Sequence, residues 1–409
     1  MALPSNPGSV RFEAESSWGE DVTTFDTYAP RVRDAVDPSG LVHNAEAAGY
    51  VQQYRTGGQP QVKMIMGGSF TTKLDLRGHG VDTTGSPTLD GYETLLGIVF
   101  GAVALSLATS QTCTGGTAAA PTTSGATGVS AGGYVRVGTL GDGDGDGQFY
   151  KVGTQAASTM NLLGAMNGAP VNGAVIYPVA MAYSTVTADG AGVTSTRWLL
   201  QNWAEQYECH GVYPQSVTIS GLNPGERPTI EITWGVSWWR LSTATFPNST
   251  TTDTYTAGPV AAGSLNIQLV GTTTRNVRTT ARSLAVTYNL NVMALKGYGG
   301  VNSYQDTVNA CRGDEEIIIE WTEDAEATTS TPALPGYWDA NATYHLEFTG
   351  SVVPGSAIGF GCPAVSPDGP KPVMFNDGGI WRFRARFKAR AGATTTSALT
   401  LAPFVLLGS

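Results

Sequence analysis

The stretch Tyr207 to Arg240, YECHGVYPQSVTISGLNPGERPTIEITWGVSWWR, constrains the fold more than any other. Val217 and Ile219 alternate with Thr218 and Ser220. After the turn Leu222-Asn223-Pro224-Gly225, Ile230, Ile232, Trp234, Val236 and Trp238 share one parity, and Thr229, Glu231, Thr233, Gly235 and Ser237 the other. A period of two over that length specifies paired strands with one buried face. Proline presets φ and glycine accepts positive φ, which suits the turn. Nothing in this hairpin has catalytic character. It is scaffold, and a chain built around it does its work through shape.

The rest of the composition agrees. The 409 residues allow two or three domains and a substantial core. Gly is abundant at 52 and charged residues are scarce at 14%, a mix that favours strands joined by tight turns. A net charge of −10 argues against a general nucleic-acid binder, which needs basic surface to displace counterions. The N-terminal MALPSNPGSVRF lacks the basic and apolar regions of a secretory signal. The most apolar run, Leu95 to Leu107, is too short to span a bilayer. Cys113, Cys209, Cys311 and Cys362 show no metal-ligand spacing, and reduced thiols in a cytosolic setting are expected.

Along the chain, residues 1–60 read as polar loop with an acidic segment from Phe12 to Asp21. A long strand follows over Val62–Arg77, with Gly67-Gly68 as a candidate bulge. One packed helix is predicted over about Asp90 to Val103, where Tyr92, Leu95, Leu96, Val99, Phe100 and Val103 keep helical spacing. Asp90 with Glu93 resembles a capping box. Gly97 and Gly101 weaken it by roughly 1 kcal/mol each, so packing on a sheet must hold it. Residues 109–132 read as a flexible, low-complexity loop. They open an inserted β-unit, about 109–190, within a first domain of residues 1–245. Strands are expected at Val175–Tyr183 and at Trp198–Ala204, the latter with a helical alternative. Residues 246–409 form a second β-rich domain, with a strongly alternating strand at 381–390.

Enzymatic motifs are absent: there is no GxSxG, no Walker loop, and no partner spacing among His43, His79, His210 and His345. No catalytic residue and no cofactor is expected. The loop DGDGDG places Asp142, Asp144 and Asp146 like the first ligands of a calcium loop, but Gly153 stands where that loop needs its bidentate Glu. A solvated turn and a partial Ca²⁺ site are both compatible with it.

Charge patterning is more informative. One face of 381–390 carries Arg382, Arg384, Arg386 and Lys388, while 314–324 concentrates Glu315, Glu316 and Glu320 among other acids. Two solvated faces, a cross-strand ladder within one sheet, and complementary contacts between identical subunits all fit.

In order, five segments resemble the major tail tube proteins of long, non-contractile-tailed bacteriophages. They are Glu15 to Asp21, the strand Gly67 to Gly78, the helix Tyr92 to Ala102, the hairpin Tyr207 to Val236, and the alternating strand at 381–390. The likeness covers about half of the chain, mostly before residue 240. The insertion and the second half have no matching motif, and read as a duplicated tube domain or an outward decoration.

The resemblance implies a mainly β fold, a tail-tube-type β-sandwich or barrel with one packed α-helix. It implies a virion protein, assembled in the host cytoplasm, whose copies form a hexameric ring, or a ring of three if the chain is duplicated. Rings stack into a tube, joined by terminator, tape-measure and tip proteins, and genome DNA slides through without specific binding or any membrane contact. Lumen candidates are Lys63, Thr71, Lys73, Asp75, Thr229, Glu231 and Thr233. An acidic lumen would repel phosphate. The acidic N-terminal segment and residues 109–132 are candidates for ordering on assembly. The rival readings are a carbohydrate-binding β-sandwich, with Trp18, Trp203, Trp238, Trp239 and Trp381 as stacking faces, and another virion protein such as a capsid decoration.

Overall fold

A computed structural model describes residues 9–21, 28–30, 32–47, 62–77, 91–104, 111–129, 131–137, 148–166, 169–170, 172–179, 181–184, 193–202, 205–223, 225–242, 251–252, 266–270, 275–276, 281–296, 307–325, 334–340, 342–349, 358–390 and 404–408. The chain is mainly β. First come β1 (Ser9–Ala14), β2 (Tyr28–Ala29), a 3-10 turn (Pro38–Gly40), β3 (Leu41–Ala47), β4 (Val62–Asp75), α1 (Gly91–Phe100) and β5 (Ala102–Ala104). Next are β6 (Gln111–Thr117), β7 (Ala120–Thr123), β8 (Tyr134–Val137), β9 (Phe149–Ala156), β10 (Thr159–Leu162), β11 (Val175–Pro178) and β12 (Met181–Ser184). The central strands are β13 (Thr196–Asn202), β14 (Glu205–Ser220), β15 (Thr229–Val236), β16 (Trp238–Leu241), β17 (Thr251–Thr252), β18 (Asn266–Val270) and β19 (Arg275–Asn276). Last are β20 (Ala281–Asn289), β21 (Val292–Lys296), β22 (Thr307–Arg312), β23 (Glu316–Asp324), α2 (Leu334–Ala340), β24 (Tyr344–Thr349), β25 (Ile358–Pro367), β26 (Phe375–Asp377), β27 (Ile380–Arg390) and β28 (Val405–Gly408).

The hairpin that dominates the sequence is the seam of the fold. The first half of β14, up to Val212, lies between β13 and β16, and β13 pairs with β1. The second half, from Tyr213, lies between β15 and β20. From there an antiparallel sheet runs β3–β4–β15–β14–β20–β23–β27. It crosses residue 245 without a break, because β14 pairs directly with β20. β25 then joins β27 to β24 and β28.

One side of this sheet is dry. Phe70, Leu74, Ile230, Ile232, Trp234, Val217, Ile219, Val286, Tyr288, Ile319, Trp321 and Phe387 are all buried in one cluster that reaches from Val10 to Leu406. At its centre Trp198 packs between Phe12, 5.1 Å away, and Trp234, 5.0 Å away. Full burial of each such ring stabilises by about 1.5–3 kcal/mol. The Trp234 indole N–H donates to Thr72 Oγ1 at 2.8 Å, so the polar end of the ring is not left unpaired.

The helix is shorter than its periodicity predicts. It stops at Phe100 because Gly101 takes φ 83° and donates its N–H to Gly97 O at 2.8 Å, a left-handed cap. Gly101 is therefore a terminator, not an internal weak point, and Val103 falls in β5. A second, short helix, α2, buries Leu334 and Tyr337, where one helix was expected. No helix among the described residues is long and apolar enough to cross a membrane.

Three further expectations change. No register shift occurs at Gly67-Gly68, so there is no bulge; a Cβ on Gly68 would sit 2.3 Å from Gly40 O, and the glycine serves close approach to the 3-10 turn. The 198–202 part of the 198–204 stretch is strand, within β13, and 203–204 lie outside the described residues. The 175–183 stretch is two strands in different sheets, β11 and β12.

The largest correction concerns residues 109–132. Among the described residues of this stretch, 111–117 and 120–123 are strand rather than loop. β6 and β7 belong to a closed six-stranded barrel, β10–β7–β6–β11–β8–β9, with its own core of Cys113, Val135, Tyr150, Val152, Met160 and Ile176. Closure pairs the backbone of every strand, so β6 and β7 need little apolar mass. Only Cys113, Pro121 and Thr123 turn inward from them as buried side chains.

The barrel is fastened to β24 and β25. The Phe149 N–H donates to Thr349 Oγ1 at 3.0 Å and the Lys151 N–H to Glu347 Oε1 at 2.8 Å. His345 Nε2 meets the same Glu347 oxygen at 2.9 Å. Gly359 and Gly361 leave room for the Phe149 and Tyr134 rings. Burial pushes the Lys151 ammonium down and the Tyr134 hydroxyl up from their ordinary values.

Candidate assembly surface

The second side of the sheet is mostly polar and half-buried to exposed, apart from the buried Thr229 and Ile318. Six of the seven lumen candidates meet there as cross-strand pairs between β4 and β15: Asp75 with Thr229, Lys73 with Glu231, and Thr71 with Thr233. Thr218 of β14 lies beside Glu231 and, on its other flank, beside Thr287 of β20. Ala285 of β20 faces Glu320 of β23, which faces Arg386 of β27. The lumen candidates and the charged strand therefore share one face. Lys63 also lies on β4, opposite Glu46 of β3.

The charges expected to bridge subunits meet inside one chain. Lys388 Nζ is 2.8 Å from Glu316 Oε1. Arg386 reaches Asp368 at 2.7 Å and Glu320 at 3.4 Å. Arg382 reaches Asp324 at 3.1 Å and also pairs with Asp377. Arg282 adds a second cation on Asp324, and these donors hold its carboxyl below the usual range. Glu315 leaves the ladder and pairs with Arg312 at 3.0 Å. Of the three readings of this pattern, the structure has the ladder. Arg384 differs: it faces Thr322 and makes no ion pair among the described residues.

The face is not acidic. Lys73, Arg384, Arg386 and Lys388 offset Asp75, Glu231, Glu316 and Glu320. An acidic lining is thus replaced by a nearly balanced one. At one end, where the Gly221–Arg227 turn rises beside Arg33 and Asp34, the face deepens into a cleft of about 910 Å³.

The acidic N-terminal segment is docked in the single chain. Glu15 Oε1 accepts the Gly211 N–H at 2.8 Å and its Oε2 the Gly19 N–H at 2.9 Å. Burial pushes the Glu15 carboxyl up to about 7 against those bonds. Arg197 sits between Glu13 at 2.9 Å and Glu20 at 2.6 Å. The Trp18 indole N–H donates to Ser237 Oγ at 3.0 Å, and that of Trp238 to Gly19 O at 2.9 Å. His210 stacks on Trp238 at 4.0 Å, and burial pushes it down to about 4. Residues 9–21 and 111–129, the described parts of the two segments expected to order on assembly, make their contacts within one chain.

No protein-family model matches the sequence, and a comparison with curated proteins finds no match.

Two of the five tryptophans of the carbohydrate reading offer no open stacking face. Trp238 is buried, Trp18 is tied into the seam, and Trp203 lies outside the described residues. Trp239 and Trp381 remain accessible, on β16 and β27. Among the described residues no group of three or more His, Cys, Asp or Glu could hold a metal ion, and Asp142, Asp144 and Asp146 lie outside them. Sequence reasoning missed the cleft, whose lining comes from six separate strands and two connecting segments and has no linear signature.

Proposed function

We propose that the chain is a structural virion protein that self-assembles into stacked rings, forming a phage tail tube through which genome DNA passes. One observation carries this reading. A sheet of long antiparallel strands joins both halves of the chain, with a deep apolar core behind it and a polar, nearly charge-balanced face in front. Such a face neither grips phosphate through counterion release nor holds it by apolar contact, so a duplex can slide past it. Among the described residues β3 pairs only with β4, and a second copy is a natural partner for its other edge.

Electron microscopy of negatively stained protein, with light scattering on the same sample, tests this. Rings or hollow tubes with a hole wide enough for duplex DNA are expected, and the ring symmetry gives the copy number. A compact monomer at every concentration would overturn the reading.

A further inference from the structure

The cleft on the polar face holds three cations that the fold does not use. Lys73, Arg227 and Arg384 all line it, and none of them makes an ion pair among the described residues. On the same face, Arg382, Arg386 and Lys388 are all paired. Unpaired cations gathered in one concavity concentrate positive potential and attract a negatively charged partner. The cleft also contains Asp34, Glu226 and Glu320. Acids interleaved with the cations oppose a continuous phosphate backbone, but they leave room for carboxylates presented one at a time. The chain itself carries such a group: in DGDGDG the acids Asp142, Asp144 and Asp146 alternate with glycine, which brings no bulk of its own. That segment follows β8 of the barrel, and Arg136 and Lys151 are the only charged residues among the barrel's described ones, both buried. The triple aspartate is therefore the barrel's distinctive charge.

We propose that this cleft receives the Asp142–Asp146 segment of a second copy of the chain. The proposal rests on the self-assembly reading and names one contact that would carry it. Each pair is exposed, so the contact is salt-sensitive and its strength lies in the three acting together.

The test is a charge swap. Lys73→Glu, Arg227→Glu and Arg384→Glu together should abolish assembly in light scattering while circular dichroism stays unchanged. Asp142→Lys, Asp144→Lys and Asp146→Lys together should do the same, and the six changes combined should restore assembly. If the reversed cleft does not fold, the three glutamine substitutions replace it. In parallel, a synthetic peptide of residues 140–148 is titrated onto the wild-type chain. Binding at low salt that falls at least tenfold in the cleft variant supports the proposal. Assembly unaffected by either triple reversal, or no recovery in the combined variant, overturns it. So does duplex DNA that binds the wild type and not the cleft variant, since the cleft then belongs to phosphate. Should the wild type fail to assemble at all, the tube reading fails, and the peptide titration still decides the cleft: binding lost in the variant supports the site, and no binding overturns it.

Discussion

Gly211 and Ser237 face each other where both arms of the central hairpin leave one sheet for the next. Ser237 Oγ donates to Gly211 O at 2.8 Å, and a Cβ on Gly211 would lie 2.4 Å from that hydroxyl. Gly211 also has φ 57°, in the left-handed region. Gly211→Ala should therefore cost about 2–4 kcal/mol, combining backbone strain with overpacking. Ser237→Ala should cost less, about 1–2 kcal/mol, the net value of its hydrogen bonds to Gly211 O and from the Trp18 indole, which keeps Thr307 O as a second acceptor. Urea unfolding of both variants checks the order; equal losses would remove the steric argument.

Glu15 gives the seam a pH dependence. Its folded pKa of about 7 lies above the ordinary 4.5, so the neutral carboxyl favours the folded state. Stability from this group is full below about 4.5 and is lost as pH rises through 7. The shift corresponds to about 3 kcal/mol. Because other carboxylates titrate in the same range, the quantity to measure is the difference between wild type and Glu15→Gln. That difference should move in favour of the variant between pH 4.5 and 8, and a flat difference would contradict the burial argument.

The barrel seam depends on two glycines. A Cβ on Gly361 would lie 2.1 Å from the Tyr134 hydroxyl and 2.5 Å from its ring. Gly361→Ala should cost about 1–3 kcal/mol by forcing the barrel off β25. Tyr134→Phe should be neutral or stabilising, because the buried hydroxyl has no hydrogen-bond partner among the described residues. Thermal unfolding followed by tryptophan and tyrosine fluorescence distinguishes them. A destabilised Tyr134→Phe would mean that the hydroxyl has a partner after all.

The central hairpin was legible because its inward positions, from Val217 to Trp238, repeat without interruption. Its kink was not, since Gly211 and Ser237 change the sheet without changing the alternation. The barrel escaped because β6 and β7 are written mostly in Thr, Gly and Ala, and strands held by closure give almost no apolar signal. The ladder was half legible. Acidic and basic strands could be seen to match, but Glu320 and Arg386 are 66 residues apart, and a sequence does not say whether such partners meet in one chain or two.

Asp324 is where the ladder is strongest, because Arg282 and Arg382 both donate to it. Their charges hold its carboxyl below the ordinary value, so its contribution is present above the unfolded pKa and is lost as pH falls through the folded one. Asp324→Asn should cost about 1 kcal/mol at neutral pH, near the upper end for a partly exposed cluster. Arg386→Ala, which removes a more exposed rung, should cost less. Both losses should shrink in 1 M salt, where screening acts within about 3 Å. Chemical denaturation with urea, which adds no ions, measures this cleanly. A loss at Asp324 that persists in high salt would place its role in packing, and the polar face would then owe its order to the core behind it.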